Sequence, residues 1–145
     1  MTSEQPPPRT HNLVRLPDWQ LRLAELVTAR LAAPFAYGSN DCGLWVADAV
    51  QAMTGIDPAP HLRAHANARG ALLAVQGYGG IAQLATACLG PAMPASRAAV
   101  GDVVAVAVGK RLALGICNGS TALGPGPRGL VHVAMADAML AWRLA

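Results

Sequence analysis

The 145-residue chain is long enough for one domain with a substantial core. Its hydrophobic fraction is 53% but its aromatic fraction only 4%, which predicts a core of closely packed small side chains. The net charge of +3 comes from scattered residues, with no run of Lys or Arg, so nucleic acid is not an expected partner. No apolar stretch approaches the length needed to cross a bilayer, so we expect no membrane-spanning segment.

The first twelve residues differ in composition from the rest of the chain. They are polar, include Pro6-Pro7-Pro8 and do not resemble a signal peptide. This segment predicts a flexible or partner-bound arm over residues 1–12, followed by a single domain over 13–145. Three cysteines at unrelated spacings (Cys42, Cys88 and Cys117) match neither a disulfide framework nor a zinc motif and predict reduced thiols.

Helical patterns fill the first part of the chain. Apolar residues at helical spacing predict a helix that opens at Leu16-Pro17-Asp18-Trp19 and ends near Ala33-Pro34. A loop over 34–41 then leads into a helix that begins at Cys42 and stops at Gly55. Residues 56–68 predict a loop or a short irregular helix. Two short helices follow over 69–76 and 80–89, and then a proline-punctuated linker.

The pattern changes from helix to strand after Val100. β-branched and apolar runs predict strands over 103–108, 111–117, 120–123 and 130–134, then a helical turn and a closing edge strand over 141–144. Asn118-Gly119 is typical of a two-residue hairpin turn with positive φ at both residues. The segment 124–129 is interpreted as a plain connector, because it lacks the lysine and helix of a phosphate-binding loop. Helices followed by an antiparallel sheet of about four or five strands make an α+β fold.

The stretch around Cys42 has the pattern of a presented nucleophile. Ser39, Asn40 and Asp41 can each cap a first helical turn. Cys42 follows directly, where the positive end of the helix dipole favours a thiolate. On the helix, Cys42, Val46, Ala49 and Met53 fall near one face, so the cysteine is expected at the top of a buried stripe. A cysteine in this position after a glycine-containing loop suits nucleophilic catalysis, with Gly38, Asn40 and Asp41 shaping the loop.

In their order, the short motifs along residues 16–144 resemble the NlpC-type branch of papain-like cysteine peptidases. The resemblance is strongest to a phage- and prophage-encoded, tail-associated branch that lacks the usual histidine. The matching sequence segments are Pro34-Phe35, Gly38, Asp41-Cys42, Ala47-Asp48-Ala49-Val50, Thr54-Gly55, Asp57-Pro58, Gly101-Asp102-Val103-Val104, Leu114-Gly115 and Ala141-Trp142-Arg143.

This resemblance implies a papain-like fold and, in active relatives, cleavage of peptide bonds in peptidoglycan stems by a cysteine, a histidine and a third polar residue. In phages such proteins act at the tail tip as wall-cutting or tail-assembly proteins. The chain departs from active relatives at one position. Their histidine immediately precedes the segment that matches Leu114-Gly115-Ile116, and here that position is Ala113. Alanine cannot accept the thiol proton, so the thiolate–imidazolium pair is not available from this position.

Several other candidate groups in the sequence have simpler structural roles as alternatives. His132, on a predicted strand, is the candidate for a displaced catalytic base, against a packed or exposed strand histidine. His61 and His65 are four residues apart, but no third ligand lies beside them, so two solvated histidines are favoured over a metal site. Cys88 is interpreted as a small core residue. No metal or cofactor is expected, and the three tryptophans are interpreted as core or interface anchors.

The sequence therefore supports two hypotheses. The first is a phage tail-tip structural or assembly protein with a degenerate NlpC-like fold, located in the virion tail after assembly in the host cytoplasm. It would bind hub or fibre proteins. The second is a cysteine peptidase or amidase that contacts peptidoglycan, with Cys42 as nucleophile and His132 as base.

Overall fold

The computed structural model describes residues 13–64 and 67–145 and has an α+β architecture, as predicted. The helices precede the sheet along the chain. The predicted arm over residues 1–12 lies outside the described residues, as does His65. The four α-helices are α1 (Trp19–Arg30), α2 (Cys42–Thr54), α3 (Ala68–Gly77) and α4 (Ile81–Leu89), with a short 3₁₀ helix at Pro60–Ala64.

Six antiparallel strands form one sheet, against the four or five expected. The strands are β1 (Met93–Pro94), β2 (Val103–Val108), β3 (Arg111–Cys117), β4 (Thr121–Gly126), β5 (Gly129–Ala134) and β6 (Ala138–Trp142). Their order in the sheet is β1-β6-β2-β3-β4-β5. The additional strand, β1, is two residues long and lies in the segment that the sequence predicts to be a linker.

Strand β6 does not close the sheet as an edge strand. It begins earlier than predicted, at Ala138, and lies between β1 and β2. Its pairing with β2 contains an irregularity between Ala105 and Val106, which accommodates the chain after a 3₁₀ turn at Met135–Asp137. The position of β6 depends on this long-range pairing, which the local pattern over 141–144 does not contain.

Both faces of the sheet are apolar, and the α-helices of the described residues pack against one of them. On that face, side chains such as Val103, Ile116 and Leu123 join the core residues of α2 and α4. On the other face, Val104, Val106, Cys117, Ala122 and Ala141 form a second buried cluster. Strand β2 is therefore buried on both faces, as its continuous apolar run predicted.

Helix α2 is at the centre of the larger core. Trp45, Ala49, Val50 and Met53 are fully buried, so the predicted buried stripe below Cys42 is confirmed. The indole N–H of Trp45 donates to the carbonyl oxygen of Leu123 at 2.8 Å, which fixes the helix against β4. The helix ends at Gly55, whose φ of 80° is the left-handed conformation expected of a glycine stop.

Two turn predictions differ from the structure. Among the described residues, positive φ occurs only at glycines, so Asn118 does not adopt the conformation of a two-residue type I′ turn. The β3–β4 connection instead spans several residues, and Asn118 donates its backbone N–H to the carbonyl oxygen of Thr121. Strand β4 also continues through Gly124, Pro125 and Gly126, which the sequence indicated to be a connector. Pro125 is tolerated because neighbouring residues of β4 maintain the pairing with β5.

Within the described residues, no single helix has the length and apolar composition needed to cross a bilayer. The consecutive helices α3 and α4 meet those two criteria only when they are taken together, and they are bent by 68° relative to each other.

Candidate functional site

The loop before α2 is folded by its own polar residues. Gly38 has a φ of 82°, and the backbone N–H of Asn40 donates to the carbonyl oxygen of Ala36 at 2.8 Å. The side-chain amide of Asn40 donates to the carbonyl oxygens of Ala33 and Pro34. These bonds replace regular secondary structure for the loop backbone and hold the entrance to α2 in one conformation.

Asp41 is the residue that caps α2. One carboxylate oxygen accepts a hydrogen bond from the backbone N–H of Leu44 at 2.9 Å, and the other accepts from Gly38 at 3.1 Å. Of the three capping candidates, Asp41 therefore fills the role because it immediately precedes the first helical residue. Both of its oxygens are engaged in positioning the loop.

A network of ion pairs supports the loop from behind. Arg30 donates to the side-chain oxygen of Asn40 at 3.0 Å and forms an ion pair with Asp48 at 2.5 Å. Asp48 also pairs with Arg63 at 2.7 Å, and Arg63 pairs with Asp57 at 2.8 Å. The network joins α1, the loop, α2 and the segment after α2, so several elements fix the position of Asn40.

Cys42 is the first residue of α2, and the residue is partly exposed although its sulfur is largely buried. Burial is the largest influence on it and raises the pKa of the Cys42 thiol, and the neighbouring Asp41 carboxylate raises it further. The backbone of Leu114 and the helix N-terminus act in the opposite direction and do not outweigh burial. Burial therefore opposes the thiolate that the helix position alone predicts.

A cavity of about 480 Å³ opens beside Cys42. Its walls come from the loop before α2, the start of α2, helices α3 and α4, and the hairpin of β2 and β3. Most of the lining is apolar and includes Phe35, Tyr37, Leu62, Leu72, Val75, Ile81, Leu84, Val108 and Leu112. The volume lies within the range of small-ligand and side-chain pockets.

Ala113 lines the same cavity as Cys42. It pairs with Val106 across β2 and β3 and packs with it against the second cluster. The adjacent Leu114 lies on the helix-facing side, where its backbone approaches the Cys42 sulfur. The position that the resemblance assigns to the catalytic histidine therefore borders the same cavity as the cysteine, but its methyl group packs with the second cluster, on the other face of the sheet.

The structure does not bring His132 to the cavity. His132 is exposed on β5, two strands away from β3 in the sheet. Its Nδ1 lies 3.1 Å from the hydroxyl of Thr121, and it pairs across the ladder with Leu123. The resulting arrangement is a cross-strand polar contact at the sheet surface.

His61 is not among the residues that line the cavity, although its neighbour Leu62 is. His61 belongs to the 3₁₀ helix after α2, and its Nε2 is 2.8 Å from the hydroxyl of Tyr78. Its predicted helical neighbour, His65, lies outside the described residues. Over residues 13–64 and 67–145 no cluster of three metal-ligating side chains occurs, and neither described histidine lines the cavity.

Sequence reasoning did not identify Arg111, Tyr37 and Leu72 as part of the site. They come from three separate elements and meet only at the cavity. The available signal was weak: Leu72 and Leu73 are adjacent leucines on a short helix, so one of them must face solvent or a partner.

Two comparisons bear on identity. The family model for a domain of unknown function, DUF6950, matches residues 14–144, so the chain belongs to that family. No curated protein matches it.

Proposed function

We propose that this member of the DUF6950 family is a non-catalytic binding protein of a phage tail tip, with a degenerate NlpC-like fold, that docks against hub or fibre proteins. The observation that carries the proposal is the state of Cys42. Its thiol pKa is raised by burial, and neither described histidine lines its cavity. A nucleophilic cysteine requires a thiolate and a base within hydrogen-bond reach.

The phage-tail context rests on the resemblance of the sequence motifs. The exposed apolar residues around the cavity, including Phe35, Tyr37 and Leu72, also favour a docking protein. In this proposal the cavity beside Cys42 is a former substrate cleft that now serves as a contact surface.

A second candidate function is a cysteine peptidase or amidase that acts on peptidoglycan. The observation that favours it is the cavity itself, since it opens directly at a cysteine in the first turn of a helix. This function requires a base that reaches Cys42, and Ala113 cannot supply it. His132 would have to leave its contact with Thr121.

The rate of Cys42 alkylation against pH separates the two functions. We expect an inflection above the ordinary thiol value of about 8.5, because burial raises the pKa. Peptide mass spectrometry reads the three cysteines separately, with buried Cys88 and Cys117 as internal controls. The four histidines of the chain are changed to alanine one at a time, and no variant should alter the profile.

An inflection well below 8.5 that disappears in one histidine variant would contradict the proposal and identify the base of a hydrolase. The docking function has its own test. Co-expression with the hub and fibre proteins of the same tail should yield a complex that survives gel filtration. A monomer that binds none of these proteins would overturn the docking function.

A further inference from the structure

The rim of the cavity beside Cys42 exposes several large apolar side chains. Leu72 is 57% exposed, Val108 is 51% exposed and Tyr37 is 42% exposed, and all three line the cavity. Phe35 packs edge-on against Tyr37 with ring centroids 4.8 Å apart, so the two rings form one rigid wall. Apolar side chains converging on one concavity are typical of a surface that another molecule covers.

The two charged groups around the cavity differ in their partners. Asp41 and Arg111 are the charged residues among the described lining. Both oxygens of Asp41 accept backbone hydrogen bonds, so its carboxylate already has partners within the loop. Arg111 is exposed at the start of β3 and has no ion pair with any residue in the described ranges. Within residues 13–64 and 67–145, therefore, no carboxylate pairs with the guanidinium that Arg111 presents at the cavity beside its apolar lining.

We propose that this groove binds an apolar segment of a partner protein that carries an acidic side chain, with the carboxylate paired to Arg111. The proposal rests on the proposed docking function and identifies the chemistry of its partner. Charge complementarity selects the acidic side chain, because a guanidinium pairs with a carboxylate through two parallel hydrogen bonds. The cavity volume of about 480 Å³ accommodates a few apolar side chains beside that pair.

The chain's own first twelve residues do not match this chemistry. They contain three prolines and mostly polar side chains, with Met1 as their large apolar residue. The groove instead requires consecutive apolar anchors, which an extended segment of another protein supplies.

The test uses the full chain and random heptapeptides displayed on phage. Peptides enriched on the wild type should share apolar residues next to Asp or Glu. The strongest one is synthesised with a fluorophore and titrated by fluorescence anisotropy, alongside a version with the acid changed to its amide. We expect the amide version to bind about fivefold more weakly.

Two matched pairs of variants locate the binding surface. Leu72→Asp should weaken binding by about tenfold or more, because it charges an apolar anchor. Leu73→Asp should not, since Leu73 is 55% exposed on the same helix but does not line the cavity. Arg111→Glu should remove the preference for the acidic peptide. Arg128→Glu, the same charge change at an exposed residue outside the cavity, should preserve it.

Other outcomes would overturn the proposal. Equal losses in Leu72→Asp and Leu73→Asp would place binding outside the groove. A concentration-dependent dimer that Leu72→Asp abolishes would make a second copy the occupant. Binding of a labelled peptide with the sequence of residues 1–12 would make the chain's own arm the occupant. The proposal would also be rejected if the peptides enriched on the wild type showed no acidic, apolar consensus beyond that of peptides enriched on the Leu72→Asp variant.

Failure of this proposal is distinguishable from failure of the proposed function. If Leu72→Asp still forms the complex with tail proteins, docking holds but uses another surface. If Cys42 proves to be catalytic while the acidic apolar peptide still binds at the groove, the non-catalytic function fails and the groove assignment remains.

Discussion

Cys42 shows how neighbouring groups decide the chemistry of a single residue. The N-terminus of α2 favours the thiolate, and a sequence motif indicates only this influence. In the folded chain the sulfur is enclosed beside β3, and burial raises its pKa more than the helix lowers it. The capping carboxylate of Asp41 adds a negative charge next to the sulfur. Asp41, which caps the helix, therefore also disfavours the Cys42 thiolate.

Asp41→Asn should lower the pKa of Cys42. Asparagine retains an oxygen that can cap the N–H of Leu44, but it removes the negative charge that opposes ionisation. The inflection of the alkylation rate should move to lower pH than in the wild type. Asp18→Asn, at an exposed residue whose ion pair is with Arg22, serves as the control. An unchanged or higher inflection for Asp41→Asn would contradict this account.

Among the elements, the β4–β5 hairpin determines the position of the loop that leads to α2. The backbone N–H of Phe35 donates to the carbonyl oxygen of Gly126 at 2.8 Å. The carbonyl oxygen of Leu31 accepts from Leu130 at 3.2 Å. At Gly129, an added Cβ would lie 2.0 Å from that same Leu31 oxygen, so only glycine permits this approach.

Gly129→Ala should therefore destabilise the fold more than Gly119→Ala. Both glycines have positive φ, but nothing lies within 4 Å of a Cβ added at Gly119. Backbone strain alone should cost about 1 kcal/mol at Gly119. At Gly129 the hairpin must also separate from Leu31, which should more than double that cost. Urea unfolding measures both variants, and equal losses would refute the close-contact explanation.

Helix α4 contains a buried thiol that makes stability depend on alkaline pH. Burial raises the pKa of Cys88 to about 11, whereas an unfolded thiol ionises near about 8.5. Between these values the unfolded chain loses the proton and the folded chain retains it. The stabilising contribution of the protonated Cys88 thiol is therefore fully present below a pH of about 8.5, and it is lost as the pH rises toward about 11.

Cys88→Ala should consequently reduce the alkaline loss of stability. The wild type should lose about 2 kcal/mol more than the variant between pH 8 and pH 11. Denaturant unfolding at several pH values measures this difference. The variant is compared with itself at each pH, so its own packing defect cancels. Parallel curves for the two proteins would show that Cys88 is not the group responsible.

At the scale of the whole molecule, one buried ion pair connects the beginning of the described chain to the sheet. Arg15 contacts Asp102 at 2.7 Å, and the Asp102 side chain is almost completely buried just before β2. The guanidinium of Arg15 also lies 4.3 Å from the ring centroid of Trp19. The backbone of Arg15 pairs with Ala145, so both ends of the domain meet at this point.

Asp102→Ala should destabilise the domain by about 3 kcal/mol or more, because the substitution leaves Arg15 largely buried without its anion. It also removes the acceptor for the backbone N–H of Ala99. Thermal and urea unfolding measure the loss. Asp18→Ala, which breaks an exposed pair with Arg22, should leave stability nearly unchanged. If Asp102→Ala lowered the free energy of unfolding no more than the control does, the Arg15–Asp102 ion pair would not contribute to the stability of the domain.

The sequence predicted the elements whose signals are local. The bounds of α2 follow from the Asp41 cap and the Gly55 stop, and the α+β class follows from helical periodicity before Val100 and β-branched runs after it. The strand over Gly124–Gly126 was missed, because glycine and proline are turn formers and only pairing with β5 makes that segment extended. The catalytic reading of His132 remains a prediction, and the structure places it at the sheet surface.

By itself, the sequence determined where the helices and most of the strands form, since capping groups, glycine stops and apolar spacing act over a few neighbouring residues. Only the tertiary structure decided that β6 lies inside the sheet, that the Cys42 thiol is enclosed, and that Leu72 and Arg111 meet at one cavity. These features arise from contacts between residues far apart in the chain. A local apolar pattern predicts which side chains tend to be buried, but it does not identify the distant residues that pack against them.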